Sequence, residues 1–309
     1  MKPEQSTIRV GTRGSALALE QTRLFIAALH AAIPQILVET VVMNTAGDVD
    51  KQTPLAILGG QGVFAKELEA ALLHGAIDVA VHSAKDLTSE LPNGLTLGAI
   101  LNRADPRDVF LNMSGQTLED LTSGARVGTS SRRRVMQLRQ ARPDLQPVEL
   151  RGNVDTRLRK LAAGEVDAAI VASAGLLRMG WEERITQYLP VERFVPSPGQ
   201  GALGIECRSD DAETLTLLSQ VADTVVTTEV EAERRFLRLV GGGCQSPIGA
   251  HATMKGDALT MHAMLADEQM TVACFQSVSG SSNAANALAA HLAETLRHEL
   301  TSRLGRRAS

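Results

Sequence analysis

Three groups of side chains in this sequence have the chemistry to act on an anionic substrate. Asp86 follows Lys85 at the end of an apolar run, and Cys244 follows three glycines. Residues 126–160 contain ten basic side chains, nine of them arginine, and only three acids. This segment carries a net charge of +7 within a chain of net charge −4, so the remainder carries −11. Guanidinium groups pair bidentately with carboxylates and phosphates, which indicates a ligand bearing several negative charges.

The arginines fall into two classes by their expected position. The run 132–134 follows a predicted strand and opens a helix, where backbone N–H groups and the helix dipole favour an anion. Arg151 ends the next strand of the same lobe, and ligands of open α/β sheets bind outside the carboxyl ends of strands. A solvated helix face is the preferred explanation for four further basic residues: Arg139, Arg142, Arg159 and Lys160.

Two short motifs occur twice, in the same order. Residues 10–12 recur at 127–129, each time before a predicted helix, and residues 75–81 recur at 164–170. We therefore expect two similar α/β lobes, although matches this short also arise by chance.

The second pair of motifs diverges at its end. The first copy continues into His82, Ser83, Ala84, Lys85 and Asp86, whereas the second copy has no acid there. An aspartate in a basic cleft repels an anion, so it suggests acid–base chemistry or stabilisation of a transient cation. A helix N-cap is the alternative for Asp86, and a hydrogen-bonded core position is expected for His82.

The three cysteines also differ in their expected surroundings. Three glycines before Cys244 allow an exposed, nucleophilic thiol, although an ordinary buried cysteine fits the spacing as well. Cys207 and Cys274 lie in strand-like segments and are expected in the core. Three cysteines without CxxC spacing provide neither a disulfide framework nor a zinc site.

The surrounding elements favour parallel sheets. Predicted strands at 7–12, 36–44 and 77–82 alternate with predicted helices at 16–32 and 63–74, a pattern typical of βαβ units.

The end of the chain has a different order. A helix around 229–240 precedes strand-like alternation at 248–279 and a helix at about 281–303, which predicts a separate small α+β domain. Turn-rich breaks at 102–107 and 195–201 fit a hinge between the two lobes.

Composition excludes several classes of protein. The chain has 309 residues, 44% hydrophobic and 21% charged, which indicates two or three globular domains rather than a disordered chain. The negative net charge and 3% aromatic content oppose nucleic-acid binding. Residues 1–15 lack the pattern of a signal peptide, and no apolar run approaches a membrane span. We expect a soluble protein of a reducing compartment.

Six motifs, in order along nearly the whole chain, resemble the porphobilinogen deaminase family, also called hydroxymethylbilane synthases. They are GTRGSALA at 11–18, HSAKDL at 82–87, GTSSRRR at 128–134, LRGNV at 150–154, GQGA at 199–202 and GCQ at 243–245.

The resemblance implies a transferase of tetrapyrrole and haem biosynthesis. Such an enzyme joins four porphobilinogen molecules head to tail into hydroxymethylbilane and releases ammonia at each step. The chain grows on a dipyrromethane cofactor, which the resemblance places in thioether linkage to Cys244. The catalytic acid matches Asp86, which is expected to stabilise the cationic azafulvene and manage the pyrrole N–H proton. The residues matching the carboxylate-binding positions are Arg13, Ser15, Gln21, Ser83, Lys85, Thr129, Ser131, Arg133, Arg134, Arg151, Arg157 and Arg178.

The resemblance also implies an α/β fold with two periplasmic-binding-protein-like lobes, a hinge and a smaller C-terminal α+β domain. Residues 1–101 and 199–219 are expected in lobe 1, 106–195 in lobe 2, and 221–309 in the domain with the cofactor cysteine. A cytoplasmic monomer is implied, with porphobilinogen as substrate and hand-off of the product to uroporphyrinogen III synthase. No nucleic-acid, membrane or metal partner is expected.

Some positions depart from the family pattern. Ile57 and Gln61 stand where many members have lysine, which leaves Lys66 as a substitute, and Thr88 replaces a proline. The main rival is a two-lobed polyanion-binding protein without chemistry, which leaves Cys244 and the third domain unexplained. A nucleic-acid binder is a weaker rival.

Overall fold

The computed structural model describes residues 7–43, 65–241 and 246–308. The chain divides into two units: Met1–Arg103 with Ala202–Thr227, called here the first unit, and Ala104–Gly201 with Thr228–Ser309, called the second unit. Within the described ranges, no helix has the length and apolar character that crossing a membrane requires.

The described residues contain thirteen strands and eight α-helices. The strands are β1 (Thr7–Arg13), β2 (Leu37–Met43), β3 (Val79–Ser83), β4 (Leu95–Leu101), β5 (Asp108–Asn112), β6 (Arg126–Gly128), β7 (Gln146–Val148), β8 (Ala168–Ala172), β9 (Gln187–Tyr188), β10 (Leu203–Arg208), β11 (Ile248–Lys255), β12 (Ala258–Ala266) and β13 (Ala273–Ser281). The helices are α1 (Ala16–Ala32), α2 (Lys66–Leu73), α3 (Arg132–Ala141), α4 (Val154–Ala162), α5 (Ser173–Arg178), α6 (Ala212–Ser219), α7 (Thr224–Val240) and α8 (Ala285–Ala308).

The first unit is built on a five-stranded sheet of order β2-β1-β3-β10-β4. Strand β1 is parallel to β2 and β3, as the alternating pattern predicts, whereas β10 runs antiparallel between β3 and β4. Helix α1 covers one face with Phe25 and Leu29, which are buried against Val10, Val79 and Ile205. The ends of β1 and β3 therefore lie at the same edge as the start of β10.

The second unit contains a five-stranded sheet of order β7-β6-β8-β5-β9. Strand β6 is parallel to β7 and β8, and β5 is antiparallel to β8 and β9. Phe110, Val127, Leu138 and Ile170 form part of its core. The carboxyl ends of β6, β7 and β8 thus share an edge with the start of β5.

The same unit contains the antiparallel sheet β11-β12-β13. Phe236 of α7 and Leu292 and Leu296 of α8 pack against Met261 of this sheet. The Glu233 carboxylate, on α7, accepts hydrogen bonds from the backbone N–H groups of Gly199 (2.6 Å) and Ala252 (2.8 Å). Two open α/β sheets and a smaller α+β part confirm the predicted fold class.

Candidate active site

Asp86 ends a tight turn at the carboxyl end of β3. Ser83 is extended, and Ala84–Asp86 form one turn of 3₁₀ helix. The Ala84 N–H donates to the Ala202 carbonyl over 3.0 Å, so the start of β10 supports the turn. Because Asp86 is the last residue of this turn, it is not the N-cap of a helix.

Polar residues of β1 and α1 lie at the same edge. Arg13 ends β1, and the Ser15 hydroxyl caps α1 by accepting from the Ala18 N–H at 3.3 Å. The buried Gln21 amide donates to the Ser83 hydroxyl over 2.7 Å, which links α1 to the end of β3. Parallel pairing of β1 and β3 therefore gathers six predicted site residues: Arg13, Ser15, Gln21, Ser83, Lys85 and Asp86.

The second unit gathers the other predicted residues at the carboxyl ends of its parallel strands. A short connection and helix α3 follow β6. Arg151 lies in the connection that follows β7, and helix α4 begins shortly after Arg151. Arg178 ends the short helix that follows β8. The residues placed in these connections and helices are Thr129, Ser131, Arg133, Arg134, Arg151, Arg157 and Arg178.

Two of these arginines share a buried aspartate that the sequence did not indicate. Asp108 begins β5; its two oxygens lie 2.8 Å from Arg133 Nη1 and 2.8 Å from Arg134 Nη2. The Gln200 amide donates to the same carboxylate over 2.8 Å. Burial alone raises the pKa of Asp108, but the charges and hydrogen bonds of the two arginines outweigh it and hold the pKa well below its usual range.

The donor set of this region carries more positive charge than its buried partner neutralises. One carboxylate faces two guanidinium groups, and the buried Nε of Arg134 has no hydrogen-bond partner among the described residues. Burial lowers the pKa of Arg178 to about 10, and no carboxylate of the described ranges forms an ion pair with it. Buried donors of this kind are stabilised by an added anion. The residues present therefore fit a carboxylate-bearing group.

The remaining second-unit residues shape the loops around these cations. The Thr129 hydroxyl accepts from the Ser131 N–H at 3.3 Å, and the Ser131 hydroxyl accepts from the Arg134 N–H at 3.5 Å. Arg157 Nε donates to the Gly152 carbonyl over 2.9 Å, and Arg151 Nε lies 3.6 Å from a Glu149 oxygen. These contacts hold the connections that carry the arginines.

The arginines expected on a solvated helix face differ in their actual surroundings. Arg139 and Arg159 are exposed, as expected for a solvated face. Arg142 instead ties the end of α3 to the rest of its lobe, since its guanidinium donates to the Leu118 and Leu121 carbonyls and pairs with Asp144 at 2.7 Å. A solvated face is therefore the wrong description of Arg142.

Of the cysteines, Cys207 and Cys274 are buried, which confirms their expected place in the core. Burial raises the pKa of the Cys207 thiol to about 11. Three residues singled out in the sequence lie outside the described residues: Cys244, Ile57 and Gln61.

Comparison with known proteins identifies the family. The model described as "Porphobilinogen deaminase, dipyromethane cofactor binding domain" matches residues 8–216, and "Porphobilinogen deaminase, C-terminal domain" matches residues 227–298. The chain belongs to the porphobilinogen deaminase family.

Curated relatives agree with this assignment over most of the chain. A porphobilinogen deaminase of Syntrophus aciditrophicus is 47% identical over 289 residues, covering 94% of each chain. That of Syntrophobacter fumaroxidans is 51% identical over 259 residues, covering 84% of each. That of Brevibacillus brevis is 50% identical over 258 residues, covering 83% of this chain and 84% of the relative.

Solved structures of lower similarity were also matched. The periplasmic VFT2 domain of Bordetella pertussis BvgS has a TM-score of 0.42 at 14% identity, covering 70% of this chain and 87% of the domain. A putative periplasmic sulfonate-binding protein of Methylobacillus flagellatus has a TM-score of 0.39 at 15% identity, and the match covers 75% of this chain and 69% of that protein.

Membership in the porphobilinogen deaminase family confirms the predicted activity. The chain is a transferase that joins porphobilinogen molecules into hydroxymethylbilane in tetrapyrrole biosynthesis, and its cofactor is dipyrromethane. The roles of individual residues stay predictions.

Proposed function

We propose that Asp86 is the catalytic carboxylate of this reaction. The observation that carries the proposal is the position of Asp86 in a turn at the same sheet edge as Arg13, Ser15, Ser83 and Lys85. When porphobilinogen loses ammonia, the remaining pyrrole unit is a delocalised cation. Asp86 stabilises this cation by its charge and holds the pyrrole N–H proton while the new carbon–carbon bond forms.

The cationic edge of the second unit binds the carboxylates of the growing chain. Each pyrrole unit adds an acetate and a propionate, so the negative charge increases as the chain lengthens. Arg134 and Arg178 supply buried guanidinium donors, and Arg151 and Arg157 supply further positive charge. Each charge-assisted hydrogen bond stabilises the bound chain by about 1.5–3 kcal/mol.

Cys244 holds the dipyrromethane through a thioether bond. When bound, this group supplies the pyrrole carbon onto which substrate is joined. Residues 1–101 with 199–219, 106–195 and 221–309 are proposed as the three domains. We also propose that the enzyme is a cytoplasmic monomer that passes its product to uroporphyrinogen III synthase.

Substitution of Asp86 tests the catalytic assignment. Asp86→Asn keeps the size of the side chain and removes its charge, so turnover is expected to fall by about 10²–10⁴-fold. Asp210→Asn is a matched control, because Asp210 is an exposed aspartate of the same unit just beyond β10. Turnover is measured as hydroxymethylbilane formed from porphobilinogen. Near-normal turnover of Asp86→Asn would refute the assignment.

A further inference from the structure

A buried group of ionisable side chains lies in the first unit, and the reaction as proposed does not use it. His82 on β3 is 5% exposed, and Glu206 on β10 is fully buried. His82 Nε2 lies at an ion-pair distance of 3.0 Å from Glu206 Oε2, and neither atom has a hydrogen-bond partner among the described residues. Glu69 on α2 is also buried, with its Oε1 unpartnered within the same ranges.

The charges of this group constrain one another. A fully buried carboxylate is costly unless a cation or donor compensates it, and His82 is the ion-pair partner of Glu206. Burial raises the pKa of Glu69, and the negative charge of Glu206 raises it further. The charges of His82 and Lys66 lower the pKa of Glu69, whereas the charge of Glu67 raises it. The causes that raise the pKa of Glu69 prevail over those that lower it, so this pKa lies above its usual value.

The pair fixes the end of β3 against β10. In the antiparallel register, His82 faces Gly204 and Ala80 faces Glu206, so His82 and Glu206 are diagonal neighbours on one face. The pairing continues past the strand through the Ala84 N–H bond to Ala202. On the other side of β10, the register with β4 shifts between Ile205 and Glu206. The His82–Glu206 contact therefore holds β3 on a strand whose other ladder is irregular at the same place.

The turn that carries Asp86 packs on β10 beside this pair. A Cβ atom on Gly204 would lie 3.2 Å from Leu87 Cδ1, 3.1 Å from Leu97 Cδ2 and 3.7 Å from the Ala84 Cα. The turn thus lies directly over the Gly204 backbone, and Gly204 is the residue that faces His82. A movement of β3 relative to β10 would move the Asp86 turn with it.

We propose that His82 and Glu206 are positioning residues that hold Asp86 at its reacting distance by locking β3 to β10. The inference rests on the catalytic role proposed for Asp86. A displacement of about 1 Å at a reacting group costs roughly 100-fold in rate, so a small slip of the turn has a large effect on kcat. Neither residue is assigned a contact with the substrate.

A double-mutant cycle on the holoenzyme tests the proposal. His82→Leu removes the imidazole and is expected to lower kcat by about 10-fold or more, while KM changes less than about twofold. His82→Gln restores most of kcat, because its amide donates toward Glu206 from a similar position. In the Asp86→Asn background, His82→Leu lowers turnover by less than about twofold, since a misplaced group that no longer acts has no further effect. His74→Gln, on the exposed imidazole beyond α2, is the control.

The outcomes separate the two proposals. Two results would overturn the positioning role and leave the role of Asp86 intact. One is an equal fold loss from His82→Leu with and without the Asp86→Asn substitution, and the other is an unchanged kcat of His82→Leu in the enzyme that retains Asp86. Near-normal turnover of Asp86→Asn alone would overturn both. If His82→Leu unfolds, the pair His82→Leu with Glu206→Leu removes the uncompensated charge as well. If this double variant melts near the wild-type temperature and its kcat is lowered by about 10-fold or more, the proposal is supported. If its kcat is normal, the proposal is overturned.

Discussion

Loss of the buried Asp108 carboxylate should weaken the second unit strongly. Asp108→Asn keeps the side-chain shape but leaves the guanidinium groups of Arg133 and Arg134 without a buried counter-charge. Breaking a buried ion pair in this way costs about 3–5 kcal/mol. The free energy of opening, measured by hydrogen exchange at the amides of β5 and β8, should fall by that amount.

A matched pair at the surface of the same unit provides the control. Arg126 and Asp167 are 2.9 Å apart, close to the Asp108 distances, but their side chains are 43% and 42% exposed. Asp167→Asn should therefore lower the opening free energy by at most about 1 kcal/mol. Equal effects of the two substitutions, or a loss below 1 kcal/mol for Asp108→Asn, would show that burial does not govern these pairs.

The Asp108 pair also predicts how stability depends on pH. The pKa of Asp108 is lower in the folded chain than in the unfolded chain, because the two arginines favour its charged form. Its contribution is therefore complete above the unfolded pKa of about 3.9 and decreases as the pH falls toward the folded value. Urea unfolding of Asp108→Asn should be less sensitive to acid than that of the wild type over this range.

Other substitutions give smaller, separable effects. Arg178→Gln keeps a donor for the Gly201 carbonyl, which Arg178 contacts at 2.6 Å; it should change the melting temperature little yet slow elongation, seen in the masses of enzyme-bound intermediates. Gln21→Leu removes the donor to Ser83 and should lower the free energy of urea unfolding by about 1 kcal/mol. Cys207, whose thiol pKa burial raises to about 11, should react with iodoacetamide at pH 8 only after unfolding, as peptide mass spectrometry would reveal.

Local sequence signals predicted the elements better than their partners. Helix α1 matches its predicted range, 16–32, because its apolar periodicity starts after the Ser15 cap and stops before Pro34. The segment 204–207 is strand-like by composition, and β10 indeed covers it. Its antiparallel place between β3 and β4 was not predicted, because nothing within the segment identifies strands more than 100 residues earlier in the chain.

The same limit applies to the site. The arginine run 133–134 indicated an anion, but its protein partner is Asp108, which no motif near residue 108 distinguishes from other aspartates. His82 was expected in the core and is buried there, whereas its partner Glu206 lies in a distant apolar strand. Pairing between remote segments depends on the tertiary fold, so periodicity and spacing alone do not reveal it.

Intact mass spectrometry examines the covalent primer and its extension together. Wild-type protein from cells that make porphobilinogen should exceed its sequence mass by one dipyrromethane, and added porphobilinogen should produce further peaks spaced by one pyrrole unit. Asp86→Asn should carry the primer but extend it far more slowly, and Cys244→Ser should carry none, because Cys207 and Cys274 are buried. Wild-type protein at its bare sequence mass, or an adduct that persists in Cys244→Ser, would contradict the mechanism.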